Sequence, residues 1–392
     1  MEPVRGSTQP ITGRRAGQFN RGAGSWAMPG KQRQVTEFAA RRARLSEELA
    51  ARKLDAMIVS AGVNIRYLTG FTGSNGLLLV SPGVSMLFTD PRYGTQASQQ
   101  TDTRVRVVRG ALQPALLKTA ARRKLRRLGF EPSRVTWSAW SLLNENLPLG
   151  AALYPAQGIV EALRMVKSAA EIEAIRRSVQ TNSAALERAL DSFRTGMTEQ
   201  ALAASIEYQM RLLGAEKPSF ETIVASGAHS ALPHAGPREA PIGPNCFLLI
   251  DMGAFQDGYA SDMTRTLFTG VPPPKARSLY RAVLEAQLAA IDAVRPGIPT
   301  ARVDAAARRV LRRYGYEKAF IHSTGHGLGL EIHEPPRLGR GEKTPLEPGM
   351  AITIEPGAYV PGYGGVRIED TVLVTTTGCE VLTPTSKELV RL

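Results

Sequence analysis

Two cysteines in 392 residues, Cys246 and Cys379, leave no disulfide framework and no cysteine-based zinc site to be built. Long apolar runs are missing too, since none approaches the ~18 residues that a membrane span needs. The N-terminal stretch MEPVRGSTQPITGRRAGQFNRGAGSW is basic but lacks the apolar core of a secretory signal. Cytoplasm is therefore the expected location, with no membrane partner. Acidic residues are in short supply, 35 against 49 Lys and Arg, for a net charge of +14. Much of that charge lies in the first 50 residues and in Lys118–Arg127, KTAARRKLRR. No aromatic stacking platform or nucleic-acid motif accompanies it, so nucleic acid is not expected as a partner. The basic run reads instead as the solvated face of a helix whose apolar stripe is Leu116, Leu117, Ala120, Ala121, Leu125 and Leu128.

What is present belongs to a soluble globular chain, 43% hydrophobic and 21% charged, long enough for two or three domains. Residues 1–33 are rich in Gly and Arg without hydrophobic periodicity and are expected to be a disordered arm, with Met28 a candidate initiator. Residues 34–156 read as an α/β domain. Its expected elements are a helix over Glu37–Arg52, strands at Ala56–Ser60, Gly76–Val80 and Val84–Phe88, a loop at NIRYLTGFTG and a helix near Gly94–Gln100. It has no cluster of His, Cys and acids, so scaffolding, subunit pairing or pocket shaping is its expected work. After Pro155 the texture changes, and residues 157–392 form the second domain. Helices over Ser168–Phe193 and Thr198–Leu213 open with capping signals. Strands follow at Glu221–Val224, Cys246–Phe255 and Tyr259–Phe268, then helices at Lys275–Val294 and Thr300–Tyr314. A Gly/His loop and strands at Ala351–Glu355 and Gly365–Val374 complete the chain. The order, two helices and a hairpin followed by two helices and a hairpin, looks like a loose duplication.

Chemistry concentrates in the second domain. All five histidines lie between residues 229 and 333, and His is the commonest metal ligand and general acid/base. In LLIDMGAFQDGYASDMTRT, Asp257-Gly258 marks a two-residue hairpin turn. That turn places Gln256 opposite Tyr259, Asp251 opposite Thr264 and Asp262 opposite Gly253. Asp251 and Asp262 then become diagonal neighbours on one face, and a one-residue slip would separate them. Glu355 and Glu369 end two further apolar strands, and strand parity puts Arg367 on the face of Glu369. Four buried acids without cations would cost several kcal/mol each. Four carboxylates with an imidazole suit two divalent ions of intermediate hardness, namely manganese first, or zinc or cobalt. Two such ions sharing a water imply hydrolysis of an acyl bond. His322 and His326 have the spacing of a zinc-binding helix, but Gly325 and Gly327 argue for a loop, so that reading is rejected.

The segments IDMGAFQDGYASDMTRT, HSTGHGLGLEIHE, ITIEPG and GGVRIED, in that order and with ASGAHSALPH upstream, resemble the pita-bread metallopeptidases in their Xaa-Pro dipeptidase (prolidase) and Xaa-Pro aminopeptidase branch. NIRYLTGFTGSNG and TDPRY resemble the N-terminal domain of that family, and ALRMVKSAAEIEAIRRS resembles its joint into the catalytic domain. The resemblance implies a creatinase/prolidase-like α/β domain followed by a pseudo-twofold pita-bread α/β catalytic domain. It also implies that Asp251 ligates one metal ion, that Asp262 and Glu369 bridge two, and that His326 and Glu355 ligate the second. Glu355 would take a proton from the bridging water, which becomes the metal-bridging hydroxide, and pass it to the leaving nitrogen. His333 would orient the substrate and His234 would stabilise the tetrahedral intermediate. His322, Tyr359 and Arg367 would line the site and receive substrate carboxylate or oxyanion charge, while His229 has no counterpart.

The implied reaction is hydrolysis of Xaa-Pro dipeptides with release of proline, the alternative being an Xaa-Pro aminopeptidase acting on longer peptides. Both share every ligand. A creatinase would lack these metal ligands, and a methionine aminopeptidase would lack the N-terminal domain. A reading from another class, a non-catalytic peptidase-like binding protein, would be expected to have lost ligands that are present here. Small proline-containing peptides are the expected partners, with a homodimer as the expected assembly.

Overall fold

The computed structural model describes residues 36–194 and 196–392. The expected arm over residues 1–33 and the question of Met28 lie outside the described residues.

Thr36 opens the first helix, Glu37–Ala51, by accepting the amide of Ala39. The helix lays Leu45 and Leu49 on a six-stranded sheet. In spatial order the strands are Arg104–Val107, Val84–Thr89, Gly76–Ser81, Ala56–Val59, Arg127–Phe130 and Ala152–Pro155. Residue parity divides the sheet into two faces. Met57, Val59, Leu78 and Val80 pack with Leu45 and Leu49, whereas Ala56, Ile58, Leu77 and Leu79 pack with Leu112, Leu116 and Leu117.

Two expectations fail in this domain. NIRYLTGFTG is not all loop, because Gly62–Thr69 is a helix that buries Ile65, Tyr67 and Leu68 and ends at Gly70, in the left-handed region at φ 80°. The basic run is not one helix either. The helix is Leu112–Arg122, Lys124 turns at φ 58°, and Arg127–Phe130 is a strand. Pairing decides this. Leu128 sits opposite Ala56, and the Asp55 carboxylate accepts the amides of Arg126 and Arg127 at 2.7 and 2.9 Å. A continuing helix would forfeit all three.

In the second half, Ser168 and Glu171 form a complete capping box at the start of helix Ala169–Asp191. Helix Glu199–Leu212 packs Leu202, Ile206 and Met210 on strands Phe247–Met252 and Met263–Phe268. Helices Pro274–Asp292 and Thr300–Arg313 pack on strands Ala351–Ile354 and Asp370–Val374 in the same manner. The mixed α/β plan is thus the expected one. Among the described residues no helix is long and apolar enough to cross a membrane.

The first hairpin has the expected register. Asp257 and Gly258 both take positive φ, 53° and 81°, as a tight hairpin turn requires. Gln256 pairs with Tyr259 and Asp251 with Thr264. The ladder lapses at Gly253 and at Ser261–Asp262, so each predicted strand is two shorter ones. The second hairpin lapses likewise around Glu355 and at Ile368–Glu369. Its register nonetheless carries through, Ile354 pairing with Asp370 and Gly357 with Arg367. The Gly/His segment, expected as loop, contains a strand, Gly325–Gly327. Its glycines are there for close approach: a Cβ on Gly325 would lie 1.9 Å from the Thr353 carbonyl oxygen, and one on Gly327 2.2 Å from that of Pro335. His326 therefore projects from a strand, and the zinc-helix reading is excluded.

Candidate active site

Each break in the two hairpins frees an acid to leave the ladder and turn inward. Asp262 lies at the first, Glu355 and Glu369 at the second, and Asp251 joins them from the adjoining strand. The His326 ring enters from between the hairpins. Ligand atoms of Asp262, His326 and Glu369 all lie within 4.8 Å of one another. His326 Nε2 is 3.5 Å from Asp262 and 3.6 Å from Glu355. Thr264 donates to Glu369 at 2.7 Å, and Arg367 Nη2 donates to Asp251 at 2.6 Å. Asp251 and Asp262 share the face that the register demanded, and both line one cavity of about 800 Å³.

Among protein atoms alone the charges do not balance. Asp262 and Glu369 are 5% and 2% exposed. Burial, then Glu369, Asp251 and Glu355, push the Asp262 carboxyl well above its ordinary range. Burial followed by Glu355 and Asp251 does the same to Glu369, and burial pushes Glu355 up to about 8. Asp251 Oδ1 is buried without a hydrogen-bond partner. Burial holds His326 neutral, down to about 4, and its Nδ1 faces the Gly327 carbonyl at 3.0 Å. That contact assigns the proton to Nδ1 and leaves a lone pair on Nε2 among carboxylates, a repulsive arrangement that a cation reverses. The donor set fits divalent metal.

The remaining candidates divide into two groups. His234 and His333 are exposed on the cavity wall. His322 also lines it, but its nitrogens are engaged, Nδ1 by the Ser323 carbonyl at 2.8 Å and Nε2 by the Tyr359 hydroxyl at 2.9 Å. Tyr359 stands behind the wall, taking a hydrogen bond from Arg367 Nη1 at 2.6 Å. Arg367 also donates to Thr264 and to the Pro233 carbonyl, so four of its five N–H groups are engaged by protein. Arg367 is thereby spent on holding Asp251 and Tyr359, not free for a substrate carboxylate as expected from the resemblance.

Arg337 escaped the sequence reading. It lines the cavity, is exposed and forms no ion pair among the described residues. Strand Glu334–Leu338 presents it opposite His326. Period-two counting from His333 would have found it, but Pro335 and Pro336 argued against a strand there.

His229, outside the cavity, faces Glu199 at 3.1 Å. The fully buried Glu199 carboxylate also accepts from Ser226 N and Oγ and from Arg238 N, Nε and Nη2. It ties down both ends of the segment that carries His234. Burial would raise its pKa, but Arg238 and Ser226 outweigh burial and hold it down to about 2. Its stabilisation is therefore present above the unfolded value of 4.5 and is lost as pH falls through about 2. Glu199→Gln should cost about 1–3 kcal/mol at pH 7 and flatten the acid limb of the stability curve. Urea unfolding from pH 2 to 7 checks this, and a wild-type slope in the variant would refute it.

Comparison with known proteins places the chain in a family. Residues 173–376 match the model of metallopeptidase family M24, and residues 41–166 match the creatinase/prolidase N-terminal domain. The chain is 35% identical to the Xaa-Pro dipeptidase of Pyrococcus horikoshii over 88% of its own length and 97% of the relative's. It superposes on an Xaa-Pro dipeptidase from Bacillus anthracis with TM-score 0.88 and 39% identity, covering 91% of this chain and all of that one. An X-Pro aminopeptidase from Thermotoga maritima gives 0.83 and 35%, covering 88% and 99%. The chain belongs to metallopeptidase family M24, with a creatinase/prolidase domain ahead of its catalytic one.

Proposed function

We propose that this metallopeptidase hydrolyses Xaa-Pro dipeptides and releases proline. The observation that carries the reading is the placement of Arg337. Directly opposed residues of antiparallel strands lie about 4.5–5.5 Å apart at Cα and point to one face. Arg337 opposes His326 in this way, so a free guanidinium stands beside the acidic centre. A carboxylate at Arg337 and a carbonyl at that centre would then be held in one cavity, as capture of a free C-terminus next to the scissile bond requires. Phe220, Ile223 and Ile332 line the same cavity and offer apolar surface to the proline ring.

Asp251, Asp262 and Glu369 would hold one divalent ion, and Asp262, Glu369, His326 and Glu355 a second, with manganese the first expectation and cobalt or zinc the next. When bound, such ions supply a water of lowered pKa and polarise the scissile carbonyl. Glu355 would hold the proton that the attacking water gives up and pass it to the proline nitrogen, which must gain one to depart. His234 donates to the oxygen on which charge develops, and His333 orients the peptide. Arg367 fixes Asp251, and Tyr359 joins Arg367 to His322.

The likeness to an X-Pro aminopeptidase favours a second reading, action on longer peptides. Turnover of Ala-Pro against Ala-Pro-Ala decides between them, and Arg337→Met should raise KM for Ala-Pro about tenfold or more, by loss of a charge-assisted contact, with kcat less affected. Equal or faster turnover of the tripeptide, or an unchanged KM in the variant, would sink the dipeptidase reading.

A further inference from the structure

Positive charge on the N-terminal domain has no part in the hydrolytic site. From Thr103 to Phe130 there are nine Lys and Arg residues and no Asp or Glu. Because this run is strand, helix, turn and strand, it does not spread along one solvated helix face. Arg104–Val107 is the terminal strand of the six-stranded sheet. Arg104 and Arg106 point to one side of it by parity. Arg106 Nη1 donates to Thr119 at 3.1 Å, which sets that side against helix Leu112–Arg122. Arg122 and Arg123 stand at the end of the same helix. These four arginines and Thr119 line a cavity of about 730 Å³, with Met86 on the same face of the sheet and Val105 at its edge strand.

The acids nearest in sequence are committed elsewhere. Asp102 pairs with Arg42 at 2.8 Å, and Glu131 accepts from Ser60, Ala61 and Asn64. Among the described residues these four guanidinium groups thus share a concavity with no acid lining it, a focused positive potential that an anion relieves. All four cations are Arg rather than Lys, the side chain whose planar fork matches phosphate oxygens. Among the described residues no aromatic side chain lines the cavity, so they offer no platform for stacking single-stranded nucleic acid.

We propose that this cavity binds a compact phosphoanion, either inorganic polyphosphate or the phosphate chain of a nucleoside polyphosphate. It shares no residue with the hydrolytic cavity.

The test is calorimetric titration of the metal-loaded enzyme with magnesium tripolyphosphate and, separately, with magnesium ATP. Saturable binding at one site per chain is expected, weakened by both ionic strength and substitution. Arg104→Ala/Arg106→Ala and, independently, Arg122→Ala/Arg123→Ala should each lower affinity about tenfold per arginine removed. Ala-Pro hydrolysis should stay at the wild-type rate in both variants. Equal affinity for tripolyphosphate and ATP would identify the phosphates alone as the ligand, and tighter ATP binding would add base contact with Met86. Absence of saturable binding, or unchanged affinity in both variants, overturns the proposal. So does single-stranded RNA that binds at these arginines and is not displaced by tripolyphosphate.

Discussion

Glu369→Gln should lower kcat for Ala-Pro about 10³-fold or more, since a metal-assisted step loses several kcal/mol of charge stabilisation when a shared ligand is neutralised. The same change should stabilise the metal-free chain. Burial and mutual repulsion raise Asp262, Glu369 and Glu355 in the folded chain. Their stabilising contribution is complete below the ordinary carboxylate range and is lost as pH rises through the folded values, about 8 for Glu355. His322 and His326, held down to about 4, act oppositely, costing stability as pH falls from 6.5 toward 4. Above pH 6.5 only the carboxylates remain in play. In chelator, wild-type Tm should therefore fall between pH 6.5 and 8, and Glu369→Gln should flatten that decline. Added manganese should raise wild-type Tm, by about 2.7 kcal/mol of stability at a hundredfold excess over Kd, and raise the variant less. A metal-free Tm that climbs across this window, or a variant with wild-type turnover, would be incompatible with the site as drawn.

The second large effect lies beneath the cavity wall. Glu334 is buried between Arg164, whose Nη2 donates to Oε1, and Lys167, whose Nζ reaches Oε2 at 3.2 Å. The three side chains are 2%, 2% and 1% exposed. Burial would raise the Glu334 carboxyl, but Lys167 and Arg164 outweigh it and hold the group below the ordinary range. Its contribution is thus present above the unfolded pKa of 4.5 and is lost below it. Glu334→Ala strands the buried Lys167 and leaves Arg164 with Glu331 as its only carboxylate, and should cost about 3–5 kcal/mol. Combining it with Lys167→Met should recover part of that loss by removing one stranded charge. Urea unfolding of the single and double variants reads both values, and a cost below about 1 kcal/mol would show that water reaches the pair. Because Glu334 lies between His333 and Arg337, KM for Ala-Pro should rise in Glu334→Ala as well.

Local signals made much of this protein readable. The turn at Asp257-Gly258 set a register that the backbone follows to Asp251 and Thr264. Capping residues Ser168 and Thr198 marked helices that begin where expected. Parity placed Arg367 and Glu369 together on the cavity wall. Where two local signals competed, the sequence reading went astray. Residues 124–128 have helical spacing but pair with Ala56–Val59, and Pro335-Pro336 disguised the strand that presents Arg337.

Sequence alone therefore determined the two hairpins, the acids on them and the class of chemistry, because each depends on residues a few positions apart. Tertiary structure decided what those residues touch. It broke both hairpins so that Asp262, Glu355 and Glu369 turn inward, and it spent Arg367 on Asp251 from 116 positions away. It also set Arg164 and Lys167 beneath Glu334 and left Arg337 without an ion pair among the described residues. Hydrophobic period is a local property of the chain, whereas charge pairing depends on which distant surfaces the packed core brings together.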